Sequence, residues 1–130
     1  MTDQLLDYLR TWCRQPFDWQ HHNCGHFAAR WVERCTGQAV AYDLLGHFTS
    51  AQGLQRLLLR LGHLDLVGLA DARLANLAQR RAIAQRGDIV VAQVSGQQAF
   101  GLALGDGLAV VPAPRGIITG RLQILAAWGL

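Results

Sequence analysis

The sequence predicts an α+β fold in a single domain spanning residues 1–130, and two observations carry that prediction. In the first half, apolar residues recur with the 3.6-residue period of an amphipathic helix. After Arg86-Gly87-Asp88, short β-rich runs alternate with glycine-containing turns, which is typical of consecutive hairpins. Helices followed by an antiparallel meander indicate the α+β class.

Three helices are predicted, each from a capping residue followed by an apolar stripe. The predicted caps are Thr2, Asn23 and Ser50. The second helix has the clearest pattern, because Gly37 stands where a left-handed C-terminal residue belongs. The predicted stripes are Leu5, Leu6, Leu9, Trp12 and Cys13 in the first helix; Cys24, Phe27, Ala28, Trp31, Val32 and Cys35 in the second; and Leu54, Leu57, Leu58 and Leu61 in the third.

The third helix is expected to end at Gly62, and residues 64–84 are expected to form one or two short helices or turns. The first strand is predicted from Ile89 to Val94. Further strands are predicted at residues 99–104, 108–111, 117–118 and 122–128, with Pro112 and Pro114 stopping the third of these five runs.

Charge and cysteine usage limit the possible partners. The net charge is +3, carried by twelve arginines that are scattered along the chain, so the sequence lacks the clustered basic residues of a nucleic-acid binder. The three cysteines form no CxxC pair, which favours reduced thiols in a protein made in the cytoplasm. No signal peptide and no apolar run approaching roughly 18 residues is found, so we expect no membrane span. Only 16% of residues are charged, which indicates surface buried against partners.

The segment HHNCGHF, residues 21–27, holds the candidate functional residues. Cys24 at the first turn of a helix is a possible nucleophile, because the helix dipole favours the thiolate. His22 precedes the cap and is the candidate base, whereas His26 lies about 200° around the helix from Cys24. Two other interpretations stay open: a metal site built on HHNCGH, and a buried cysteine in the apolar stripe. No cofactor or metal is predicted.

Several stretches occur in an order that resembles a known family. A loop ending at Trp19 leads to Asn-Cys at a helix start and then to FAARWVERCTG, RGDIVV, AFGLALGDG and a terminal AAW. Across roughly residues 12–128, this order is similar to the papain-like NlpC-type cell-wall peptidases. It is most similar to short phage-encoded relatives found among tail-tip genes.

The resemblance implies a fold in which N-terminal helices pack on a small antiparallel sheet or half-barrel. It also implies a nucleophile at Cys24 and a base histidine at the start of the second strand of the sheet. The matching stretch begins Gln98-Ala99, and no histidine occurs after His63. Neither glutamine nor alanine can accept a proton at neutral pH.

Two functions therefore remain open. The first is a structural component of a phage tail tip or baseplate, located in the virion and assembling with other tail-tip or baseplate proteins, with Cys24 as a vestigial nucleophile. The alternative is an active cysteine peptidase or amidase that cuts cell-wall peptides, with Cys24 as nucleophile. For the aromatic residues we expect Trp12, Trp31 and Trp128 in the core or at an interface rather than stacked on a ligand. We expect Asp88 to accept backbone hydrogen bonds at a turn.

Overall fold

The computed structural model describes residues 3–130 and has an α+β architecture. Five helices precede a six-stranded antiparallel sheet within these residues. The helices are α1 (Gln4–Trp12), α2 (Cys24–Thr36), α3 (Tyr42–Leu45), α4 (Ala51–Arg60) and α5 (Leu66–Leu74). The strands are β1 (Gln79–Arg81), β2 (Ile89–Val94), β3 (Gln97–Gly105), β4 (Leu108–Ala113), β5 (Gly116–Gly120) and β6 (Gln123–Gly129).

The strand order is β1-β6-β2-β3-β4-β5, so β2 to β5 form the predicted meander and β6 returns to the other side of β2. The prediction that Pro112 stops its strand is wrong, because β4 runs through Pro112 to Ala113. Pro112 lies opposite Ile117 of β5, beyond the residues of β4 that pair with β3. Its missing N–H therefore costs little, since the strand has a neighbour on only one side at this point.

Two of the three predicted helix caps can be compared with the structure, and both are confirmed. Asn23 and Ser50 accept hydrogen bonds from the third residue of α2 and α4, and Gly37 ends α2 with a φ of 75°. The predicted cap Thr2 lies outside the described residues. The side chain that caps α1 is that of Asp3, which accepts from the backbone N–H groups of Leu5 and Leu6.

The predicted stripes of all three helices need correction. In α4 only Leu58 is buried, and Leu61 is exposed. In α1 the buried face is Leu5, Tyr8 and Trp12, whereas Leu6 and Cys13 are exposed, so the true stripe includes a tyrosine that the apolar pattern left out. In α2 the stripe is buried from Cys24 to Val32, but Cys35 is exposed in the last turn.

The main core lies between α2 and one face of the sheet. α2 contacts β3 and β4, and α5 contacts β3 and β6. Trp12, Trp31 and Trp128 are buried, as predicted. Two of these indoles also find partners: Trp31 Nε1 donates to the Gly87 carbonyl at 2.8 Å, and Trp128 Nε1 donates to Asp71 Oδ1 at 2.9 Å. The packing fixes the N-terminus of α2 against the sheet, and Cys24 is its first residue.

Candidate functional site around Cys24

The loop before α2 is held in place by Asn23, which places Cys24 at the helix start. Asn23 is 1% exposed, and its Oδ1 accepts from the His26 backbone N–H at 3.0 Å. Its amide group donates to the Trp19 carbonyl at 2.7 Å. Both ends of this side chain are therefore satisfied, which is required of a buried amide. The predicted position of Cys24 at the positive end of a helix is confirmed.

Cys24 is 8% exposed, and burial raises the pKa of its thiol above the usual value. Backbone hydrogen bonds from Phe100, Cys24 itself and Gly25 oppose this shift of the pKa without overcoming it. The N–H groups at the start of α2 lower the pKa of Cys24, as expected for a helix terminus, but desolvation of the thiolate has the larger effect. The thiol is protonated at neutral pH.

Both ring nitrogens of His22, the candidate base, have hydrogen-bond partners other than Cys24. Its ring stacks on Trp12 with the centroids 3.5 Å apart, and its Nε2 lies 3.0 Å from the Trp12 carbonyl oxygen. Its Nδ1 lies 3.1 Å from Nη1 of Arg30. A guanidinium can only donate, so Nδ1 accepts and Nε2 carries the proton that is donated to Trp12. Burial is the main cause that lowers the pKa of His22, and the charge of Arg30 acts in the same direction.

His26 has a structural role as well. Its Nδ1 accepts from the Asn23 backbone N–H at 3.4 Å, which completes a capping box at the start of α2. Burial, followed by the charge of Arg30, lowers the pKa of His26 to about 4. Among the hydrogen bonds of residues 3–130, none joins a histidine to the Cys24 sulfur. No group of three or more His, Cys, Asp or Glu side chains in the same residues is placed to hold a metal ion.

The residues at the expected base position also serve packing. Gln98 Oε1 accepts from the backbone N–H of Leu66 at 3.1 Å and thereby ties β3 to the first residue of α5. Ala99 packs at the edge of the core. Sequence reasoning missed this bond, because a contact between residues 32 positions apart leaves no local signal.

A small apolar cavity of about 20 Å³ lies beside Cys24, which is room for one water molecule. Trp19 is one of the residues that line it. The other lining residues are Asn23, Gly25, Leu44, Leu45, Phe48, Leu54, Leu57, Leu58, Leu61, Leu69 and Phe100. Asn23 is the one polar side chain among these eleven, and both ends of its amide are hydrogen-bonded elsewhere, so they offer no base to the thiol.

Sequence reasoning missed α3 and its closeness to Cys24. A Cβ on Gly25 would lie 2.5 Å from Cδ2 of Leu45, so the glycine at this position leaves room for the Leu45 side chain of α3 against the N-terminus of α2. The glycine after Cys24 was the available signal. This signal could be interpreted only if α3 was predicted as well, and α3 is a four-residue helix without a capping side chain.

Comparison with known proteins places the whole chain in one family. Residues 1–130 match the family model described as a domain of unknown function (DUF6950). The chain belongs to this family. No curated protein and no solved structure matches it. The longest helix of residues 3–130, α2 with 13 residues, is too short to cross a bilayer.

Proposed function

We propose that the chain is a non-hydrolytic structural component of a phage tail tip or baseplate, built on a degenerate papain-like, NlpC-type fold. The fold assignment is supported by a cysteine at the first residue of α2 and by the packing of this helix on an antiparallel sheet. The phage assignment rests on the order of sequence segments from Trp19 to the terminal Ala126-Ala127-Trp128.

One observation carries the non-hydrolytic part of the proposal: the Cys24 thiol lacks a base. A cysteine hydrolase needs a histidine within hydrogen-bond reach of its sulfur. Both ring nitrogens of His22 have other partners, and Gln98 and Ala99 occupy the position where the resemblance calls for the base. Because burial also raises the pKa of Cys24, very little thiolate is present at neutral pH.

Exposed apolar side chains support an assembly role. Leu59, Leu64 and Ile83 are 57%, 87% and 81% exposed in the isolated chain. Large apolar side chains on the surface are places where a partner gains most from burial. Together with the low fraction of charged residues, they support burial of these side chains against other tail-tip or baseplate proteins.

The proposal predicts that Cys24→Ala leaves particle assembly intact. A phage that encodes the chain, deleted for the gene and complemented with Cys24→Ala, is expected to give wild-type particle yield and infectivity. Leu64→Asp and Ile83→Asp, two surface changes that leave the core untouched, are expected to lower the particle yield. Circular dichroism of the purified variants checks that each of them is folded.

The alternative function, a cysteine peptidase or amidase, is tested with the same variant. Purified wild-type protein is expected to release no peptide fragments from isolated cell walls, as measured by mass spectrometry. Hydrolysis by the wild type that is abolished in Cys24→Ala would overturn the proposal, because it would make Cys24 a working nucleophile.

A further inference from the structure

We propose that α4 is a lid over Cys24, which opens while the rest of the molecule stays folded. The inference concerns access to the thiol and does not depend on the proposed function, since an open lid supplies no base. It rests on what covers Cys24, on how α4 is attached, and on the residues that flank it.

α4 supplies a large share of the cover over Cys24. Leu54, Leu57 and Leu58 project from it into the cavity that also contains Cys24, and Leu61 follows at its C-terminal end. Of these four leucines only Leu58 is fully buried, and Leu61 is 41% exposed. The cover is therefore one layer of leucine side chains with solvent on its outer side.

α4 is attached to the rest of the structure by apolar contacts alone. Every hydrogen bond of residues 51–62 has its partner between Ser50 and His63, and neither Arg56 nor Arg60 forms an ion pair with another described residue. The backbone of α4 also makes no extensive contact with another helix or strand.

The other four helices each have a polar tie to a distant part of the chain. These ties are Tyr8–Phe27 for α1, Trp31–Gly87 for α2, Asp43–Arg73 for α3, and Leu66–Gln98 with Asp71–Trp128 for α5. Displacing α4 breaks no such tie. Opening of α4 costs the apolar burial of Leu54, Leu57 and Leu58 but no polar tie, so we expect it at a lower free energy than the opening of α2 or of the sheet.

Glycines flank the α4 segment. Gly46 ends α3, and Gly62 follows α4 with a φ of 84°. A Cβ on either residue would meet no heavy atom within 4 Å, so neither position is packed against a neighbour. Rotation at these two positions moves residues 47–61 away from the cavity. It takes the buried Phe48 out of its apolar cluster with Ala29 and Leu45, but it breaks no hydrogen bond to α2 or to the sheet.

The test measures alkylation of Cys24 in a Cys13→Ser, Cys35→Ser background. These two exposed cysteines are the only other thiols of the chain, so Cys24 alone reacts with iodoacetamide. We expect labelling in native buffer with a much weaker denaturant dependence than global unfolding has. If the labelling rate of Cys24 has the same denaturant dependence as global unfolding, the lid proposal is overturned.

A matched pair of variants in α4 sharpens the result. Leu57→Ser removes a cavity-lining side chain and is expected to raise the labelling rate of Cys24 about tenfold. Leu59→Ser alters the outward face of the same helix, where Leu59 is 57% exposed, and is expected to leave the rate unchanged. Equal rates in the two variants would contradict the proposal.

Hydrogen exchange gives a second measurement that needs no substitution. Amides of residues 51–62 are expected to exchange through an opening that leaves the amides of α2 protected. If the amides of both segments exchange through an opening of the same free energy, α4 opens only when the whole protein unfolds. That result would overturn the lid proposal.

Discussion

At the scale of single residues, close approach between neighbouring backbones depends on glycine. Gly101 in the middle of β3 is the clearest case. A Cβ built there would overlap the carbonyl oxygen of Val110 and lie 2.7 Å from Cγ2 of Val111. β4 therefore passes directly over this position, and any side chain would have to displace strand backbone.

Gly101→Ala is accordingly expected to lower the free energy of unfolding by about 2–3 kcal/mol, because overpacking of backbone cannot be relieved by a rotamer change. Urea unfolding followed by circular dichroism measures the change. Gly46→Ala is the control, since Gly46 has a φ of −91° and free space where the Cβ would lie. Its effect is expected to stay within about 0.5 kcal/mol. A Gly101→Ala variant as stable as the control would contradict the packing described here.

At the scale of elements, the N-terminus of α2 requires neutral histidines. His26 Nδ1 can accept from the Asn23 N–H only while it is unprotonated, and His22 Nδ1 can accept from Arg30 only under the same condition. Protonation would place an N–H against another donor at each of these contacts. The charged and titratable groups that affect the pKa of His26 are Asp18, His21, His22 and Arg30.

The resulting pH dependence has a definite sign. In the folded state the pKa of His26 is about 4, below the 6.5 of a free histidine, so the unfolded chain binds more protons between these values. Stability is complete above about pH 6.5 and is lost as the pH falls toward 4. We expect a loss of about 3 kcal/mol from this group, at about 1.36 kcal/mol per unit of pKa difference. The pKa of His22 is lowered too, so it adds to the loss.

His26→Gln separates this effect from general acid denaturation. A glutamine at the third helical position can accept from the cap N–H and does not titrate. We expect nearly wild-type stability at pH 7 and a smaller decline between pH 6.5 and 4, measured as urea midpoints across this range. An unchanged pH profile in the variant would exclude His26 as the main titrating group.

Elements whose limits are set by residues at their own ends were predictable from the sequence. Elements that form only because a distant part of the chain packs or pairs with them were not. Asn23, Ser50 and Gly37 act on their own helix ends, so the limits of α2 and the start of α4 could be inferred. α3 and β1 have no such local signal: α3 lacks a capping side chain, and β1 exists because β6 pairs with it from nearly 50 residues away. The site followed the same division. The position of Cys24 at the helix start and its burial in the apolar stripe of α2 were predictable, whereas the cover that α3 and α4 add was not.

At the scale of the whole molecule, one ion pair joins β1 to the turn before β2. Asp88, with a side chain 5% exposed, lies with Oδ2 3.0 Å from Arg81 Nε. The same oxygen accepts from the Gln85 backbone N–H at 2.9 Å, so the predicted role of Asp88 as an acceptor at a turn is confirmed. The pair fixes the short β1 strand, whose hydrogen-bonded neighbour in the sheet is β6.

Arg81→Gln is expected to lower the free energy of unfolding by about 2 kcal/mol, because it leaves a buried carboxylate without its counter-charge. The Arg81 side chain is 35% exposed, which keeps the loss below that of a fully buried pair. Arg10→Gln is the control, since Arg10 and Asp7 form an exposed pair at 3.8 Å. Its cost is expected to stay under about 0.5 kcal/mol in the same urea experiment. Equal losses in the two variants would mean that the Arg81–Asp88 pair adds no stability.

The position of β6 between β1 and β2 determines when the sheet can be completed during synthesis. A ribosome makes β6 after every other strand of this sheet, so on the nascent chain β1 has no strand to pair with and one edge of β2 is open. A product that stops before Gln123 keeps the meander from β2 to β5 and leaves the backbone groups of β2 unpaired on that side. The open edge of β2 in such a fragment should pair with strands of other molecules. In the cell, this fragment is the species that chaperones and proteases would encounter first.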